Sequence, residues 1–177
     1  AFIILSLILW NYFKLKNIKI SDNKIGLIFP SIFLILVFCQ ITIGAFVSGM
    51  DAGQIYNSWP LMGSTYFPDD NNYSNIFKIS AFSDPSLVQF MHRNLAYLIL
   101  IFYLIIAYKV YKEKLAQLYL AIKLVGLILF IQILLGILTL LYGAQIVLAS
   151  MHQISSIFLV SFSVYLLFLS TNQRLSN

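Results

Sequence analysis

The chain has 177 residues, 60% of them hydrophobic and 10% charged, with a mean hydropathy of +0.89 and a formal net charge of +5. A soluble domain carries about 25% charged residues, so the composition excludes a soluble globular protein and describes one embedded in a lipid bilayer. The positive charge is therefore read loop by loop and is not a nucleic-acid signal. Cys39 is the only cysteine, which excludes an intrachain disulfide and any cysteine-built zinc or iron–sulfur centre.

Residues 1–13 are apolar but shorter than the roughly 20 residues a spanning helix needs, and they lack the basic start of a signal peptide. They read as the tail of a truncated transmembrane helix, followed by a cytoplasmic loop at 14–24. Four apolar segments of spanning length come next, at 25–48, 87–108, 118–142 and 147–169, and residues 171–177 form a cytoplasmic tail. Pro30 falls in the first turns of the first segment, where its missing N–H costs least. Cys39, inside the same run, reads as a small packing residue. The outer loop, 49–86, is long enough that a functional role is expected of it. Its aromatics, Tyr56, Trp59, Tyr66, Phe67, Tyr73, Phe77 and Phe82, suit an interfacial belt folded over the outer end of the bundle.

Charge orients the chain. Lys14, Lys16, Lys19 and Lys24 precede the first segment; Lys109, Lys112, Lys114 and Lys123 lie around the junction of the second and third; Arg174 follows the fourth. These share the cytoplasmic side by the positive-inside rule. Asp51, Asp69, Asp70 and Asp84, against Lys78, lie in the outer loop, on the side of the tight turn at Tyr142-Gly143-Ala144-Gln145.

A repeat runs through this topology. Gln40-Ile41-Thr42-Ile43-Gly44 near the outer end of the first segment matches Gln132-Ile133-Leu134-Leu135-Gly136 in the third, and the second and fourth segments each carry Met-His, at Met91-His92 and Met151-His152. The fold class expected is an all-α membrane protein: a four-helix transmembrane bundle (25–170) built from two parallel helix-pair repeats, plus the truncated stub. Parallel repeats are related by an axis along the membrane normal, which puts His92 and His152 at equal depth.

They are the only histidines. An imidazole inside a membrane helix is costly and is a functional candidate by default. Haem iron is the ligand that best suits two imidazoles across a bundle. Small residues one turn on, Ala96 and Ser155-Ser156, and the glycines Gly44 and Gly136 leave room for a flat macrocycle. Two other readings stay open: interfacial histidines with glycines serving helix packing, or another metal. Copper is the natural rival because Met91 and Met151 flank the histidines, although neighbouring helical residues point about 100° apart.

Arg93 is a possible bidentate partner for a haem propionate, or else a snorkelling charge or the mate of an aspartate. Gln40 and Gln132 are site-tuning amides or ordinary interhelical hydrogen bonds. Asp51, beside two glycines, reads as a turn residue, and Glu113 lies on the cytoplasmic side. No catalytic carboxylate, nucleophile–base pair, phosphate loop or dinucleotide fingerprint stands out.

Three stretches resemble a known family. Residues 44–63, GAFVSGMDAGQIYNSWPLMG, are similar to the GAFVAGLDAGxxYNxxPxM segment of the haem A synthases of mitochondria and alphaproteobacteria. Residues 88–93, VQFMHR, resemble the family's VQFxHR, and Gly136-Ile137-Leu138-Thr139-Leu140-Leu141 with Met151-His152-Gln153 resembles its GIxTLL and HQ. The resemblance is to the C-terminal half only. It implies that His92 and His152 are axial ligands of a haem b, and that this half has an electron-transfer role. The missing N-terminal half, with its own histidines and a glutamate, would oxidise a methyl of haem O to the formyl of haem A for cytochrome oxidase. The family's active-site glutamate has no counterpart here, so no catalytic residue is carried over. Implied partners are haem O and haem A, the N-terminal half, the bilayer, and a haem O synthase or a second copy. The implied location is the bacterial inner membrane or the mitochondrial inner membrane. The alternatives are a membrane b-type cytochrome that only carries electrons and a haem-free interaction module.

Overall fold

The computed structural model describes residues 1–16, 18 and 25–171; the expectations on Lys19, Lys24 and Arg174 lie outside them. The helices are α1 (Phe2–Leu15), α2 (Ile28–Gly49), α3 (Pro85–Lys112), α4 (Tyr119–Leu141) and α5 (Ile146–Leu169). Among the described residues the one extended pairing is an isolated bridge between Met62 and Thr65. Helices α2 to α5 are long and apolar enough to cross a membrane, and α1, with 14 residues, is not. The protein is an all-helical integral membrane protein.

Local chemistry sets the helix ends. Asp84 caps α3: its Oδ1 accepts from the Leu87 N–H at 3.1 Å and its carbonyl from the Val88 N–H at 2.9 Å. Pro85 then occupies the first helical position, where no N–H is needed. Helix α3 thus starts ahead of residue 87. It also runs past 108 to Lys112, so Lys109 and Lys112 belong to its last turn and not to a loop, where cations complement the helix dipole. The Lys109 ammonium lies 4.0 Å above the Phe29 ring. Both α3 and α4 end in the same way. The Leu115 N–H reaches back to Val110 and the Lys114 N–H to Tyr111; the Ala144 N–H reaches Thr139 and the Gly143 N–H reaches Leu140. Lys114 and Gly143 have φ of 55° and 64°, the left-handed residue this cap requires.

The chain forms two compact units, and α2 to α5 each contribute a segment to both. The first comprises Ala1–Val37, Ile99–Phe130 and Ser155–Asn177. Its core includes Phe33, Val37, Ile106, Ile122, Val125, Val164 and Phe168. Gly126 lets α3 approach α4: Tyr103 donates its hydroxyl hydrogen to the Ile122 carbonyl at 3.1 Å, and a Cβ at Gly126 would overlap that hydroxyl. Helix α1 packs on α5 through Trp10 and Phe13, whose rings lie 5.3 and 5.4 Å from that of Phe168.

The second unit comprises Phe38–Leu98 and Ile131–Ile154. Its outer loop has a core of its own, Phe67, Ala81 and Leu87, against which Ile76, Phe90 and Met91 pack. The loop aromatics therefore divide. Phe67 is buried, stacked on Tyr73 at 4.0 Å, whereas Phe77 is 91% exposed. Cys39 is exposed, and is not the buried packing residue the sequence led us to expect.

Candidate functional site

Both histidines stand about two turns inside their helices, because α3 begins at Pro85 and α5 at Ile146. Each ring lies edge-on to a glycine of the preceding helix. A Cβ built on Gly44 would lie 3.1 Å from His92 Cε1, and one built on Gly136 would lie 3.2 Å from His152 Cε1. The corresponding distances to Nδ1 are 3.6 Å in both copies. Close approach favours glycine at both positions, since a Cβ there would make the imidazole give by a few tenths of an ångström.

Gln and Gly are four residues apart in each repeat, so they lie on one helix face. The Gln40 amide nitrogen donates to the backbone carbonyl of His92 at 3.1 Å, and that of Gln132 to the carbonyl of His152 at 3.0 Å. A carbonyl can only accept, so each fixes which way its amide faces. Gln40 Nε2 is also 3.2 Å from His92 Nε2. His92 Nδ1 and Gln40 Oε1 are buried and make no hydrogen bond among the described residues. A buried polar atom without a partner costs about 1–3 kcal/mol, so stability alone does not account for this ring.

His92 and His152 occupy matching positions in the two repeats, each against the glycine of the preceding helix. Among the described residues no three His, Cys, Asp or Glu side chains gather. The pair therefore offers two protein ligands where a structural zinc site uses four. That donor set fits a metal that brings its own remaining donors, as iron does in a haem. Met91 is taken up by the loop core and Met151 is half exposed, which leaves the copper reading without support from either residue.

Arg93 turns its guanidinium to the main chain of the outer loop. Its Nη1 donates to the carbonyls of Ser58 at 2.9 Å and Leu61 at 3.2 Å, and its Nη2 to that of Tyr56 at 2.9 Å. It clamps the outer loop, and its buried Nε makes no hydrogen bond among the described residues. Gln89, one turn earlier, donates to the Tyr56 carbonyl at 3.1 Å, and Tyr97, one turn later, accepts from Trp59 Nε1 at 2.9 Å. Asn57 ties the loop to α4 by donating to the Leu140 carbonyl at 2.9 Å. None of Gln89, Tyr97 and Asn57 was singled out from the sequence. The four-residue spacing of Gln89, Arg93 and Tyr97 was the available signal. Asp51 is exposed and left-handed, with φ of 52°, consistent with a turn. In the loop, burial pushes the Tyr56 phenol up to about 12, and its hydrogen bond to Asp69 adds to the effect.

A profile of the COX15-CtaA family, described as cytochrome oxidase assembly protein, matches residues 1–164. The chain is 40% identical over 172 residues to a protein of Pelagibacter ubique named haem A synthase, covering 97% of this chain and 51% of that protein. Proteins of the same name from Rickettsia africae and Rickettsia prowazekii are 38% and 35% identical, over 84% and 91% of this chain and 44% and 49% of theirs. The chain thus spans about half the length of the curated relatives it matches. No solved structure matches it.

Proposed function

The chain belongs to the COX15-CtaA family of cytochrome oxidase assembly proteins, and from that premise we propose that it is the cofactor-holding, C-terminal half of a haem A synthase. The complete enzyme would oxidise a methyl group of haem O to the formyl group of haem A, in the bacterial inner membrane. His92 and His152 would hold the iron of a haem b. A haem held by these two imidazoles would supply one-electron transfer.

The observation that carries this reading is the duplicated contact of each histidine edge with a glycine slot, at 3.1 and 3.2 Å. Both imidazole edges are thereby held in the same way, as suits a pair that shares one metal. The remaining residues hold the site. Gln40 and Gln132 engage the histidine carbonyls, and Arg93, Gln89 and Asn57 bind the loop down over the outer ends of the helices. A propionate contact by Arg93 would fall to the N–H groups these bonds leave over, Nε and the second hydrogen of Nη2.

The test is replacement of each histidine by alanine in the full-length protein, with the haem spectrum read on purified membranes. Either substitution should abolish the low-spin bis-imidazole bands; their survival in both single variants overturns the assignment. One observation favours a second reading, an electron-carrying cytochrome: α2 to α5 contain no Asp or Glu to serve as a proton-transfer group. An assay of haem O conversion separates the two, because a pure electron carrier gives no haem A even with the rest of the protein present.

A further inference from the structure

We propose that Gln40 and Gln132 are positioning residues for the two imidazoles, each setting the height and rotation of its histidine by donating to that residue's own backbone carbonyl. The proposal rests on the haem reading and assigns a role within that site. In each repeat the glutamine and the glycine of one helix bracket the imidazole of the next. Gly44 lies against the Cε1 edge of His92 while Gln40 holds its carbonyl at 3.1 Å, and Gly136 and Gln132 do the same for His152, with the carbonyl at 3.0 Å. A helix can slide or turn past its neighbour while its side chains repack, but a hydrogen bond to the ligand residue's own main chain removes that freedom at the residue that matters. A bond to the backbone is also one that the glutamine can keep when a metal takes a ring nitrogen.

Gln40 has a second task. Its amide nitrogen is 3.2 Å from His92 Nε2 and can only donate, so it pairs with that nitrogen's lone pair. The proton is thereby held on Nδ1, and Nε2 is the nitrogen prepared to bind a metal. The amide keeps its bond to the His92 carbonyl whether or not it gives up Nε2. An ordinary interhelical hydrogen bond has no reason to fall on a histidine carbonyl in both repeats.

The test uses the full-length protein purified from membranes of a haem-replete host, with Gln40→Leu and Gln132→Leu compared with wild type. Outer partners of metal ligands change affinity about 10–100-fold when removed. Each variant should therefore lose haem to apomyoglobin faster by about that factor, and its low-spin EPR g values, which report the orientation of the imidazole planes, should shift. Thr42→Ala, an exposed change on the same helix, should leave both readouts at wild type. Haem-loaded Leu variants with wild-type release and g values overturn the proposal and leave the haem reading intact. If a Leu variant does not fold, Gln→Met at the same position, close in length and without a donor, decides by the same two readouts. A wild-type protein with no low-spin signal overturns the haem reading and this proposal with it.

Discussion

Gly44 and His92 meet so closely that the ring edge occupies the space a side chain would need, with 3.1 Å between Cε1 and the nearest possible Cβ. Contact this tight forces the neighbour to give by a few tenths of an ångström, and here the neighbour is the proposed ligand. Gly44→Ala and Gly136→Ala should each lower haem content while the helices stay folded. The overpacking cost expected is about 1–3 kcal/mol. The ratio of pyridine haemochrome to protein measures it, and full occupancy in both variants contradicts the slot.

Arg93 should govern the order of the outer loop. Arg93→Met keeps the length of the side chain and loses its three bonds to the carbonyls of Tyr56, Ser58 and Leu61. Hydrogen bonds from charged donors contribute about 1.5–3 kcal/mol each, so loop amides between residues 54 and 66 should exchange with deuterium much faster in the variant. Unchanged exchange there means that the loop's own core holds it without the clamp.

Gly126→Ala should destabilise the protein at a place far from any chemistry. The new Cβ overlaps the Tyr103 hydroxyl, and the ring behind it is too close to absorb the clash. A loss of about 1–3 kcal/mol is expected from overpacking. Tyr103→Phe alone should cost less, because it gives up a single hydrogen bond to the Ile122 carbonyl. Thermal unfolding in detergent ranks the two, and the reverse order argues against the contact.

The loop should also loosen at high pH. Tyr56 titrates near 12 in the folded chain instead of 10, so the neutral phenol is the form that the folded loop favours. Its contribution is complete below pH 10 and is lost as pH rises from 10 through about 12. Loop protection factors, with the intrinsic base-catalysed rise in exchange divided out, should fall across that window in wild type. In Tyr56→Phe that fall should vanish; an identical fall would assign it to another group.

Much was readable before any coordinates. The four spanning helices follow from hydropathy, because a bilayer accepts only a narrow range of apolar lengths. The repeat was visible as Gln-x-x-x-Gly followed by Met-His, used twice. Helix ends were less accessible. Asp84 and Pro85 form a recognisable start for α3, but the apolar run beginning at Leu87 drew attention away from it, and with it from the true depth of His92.

Apolar length, charge placement and residue identity are local properties, so a membrane chain of two like repeats with one imidazole in each is written directly in its residues. What those residues touch depends on how the helices pack. Packing sets Gln40 on the carbonyl of His92, 52 positions away, and Arg93 on the carbonyls of the outer loop. Main-chain carbonyls are the same at every residue, so no pattern of side chains announces which of them a distant amide or guanidinium will find. That choice is made by the packing of one helix against the next.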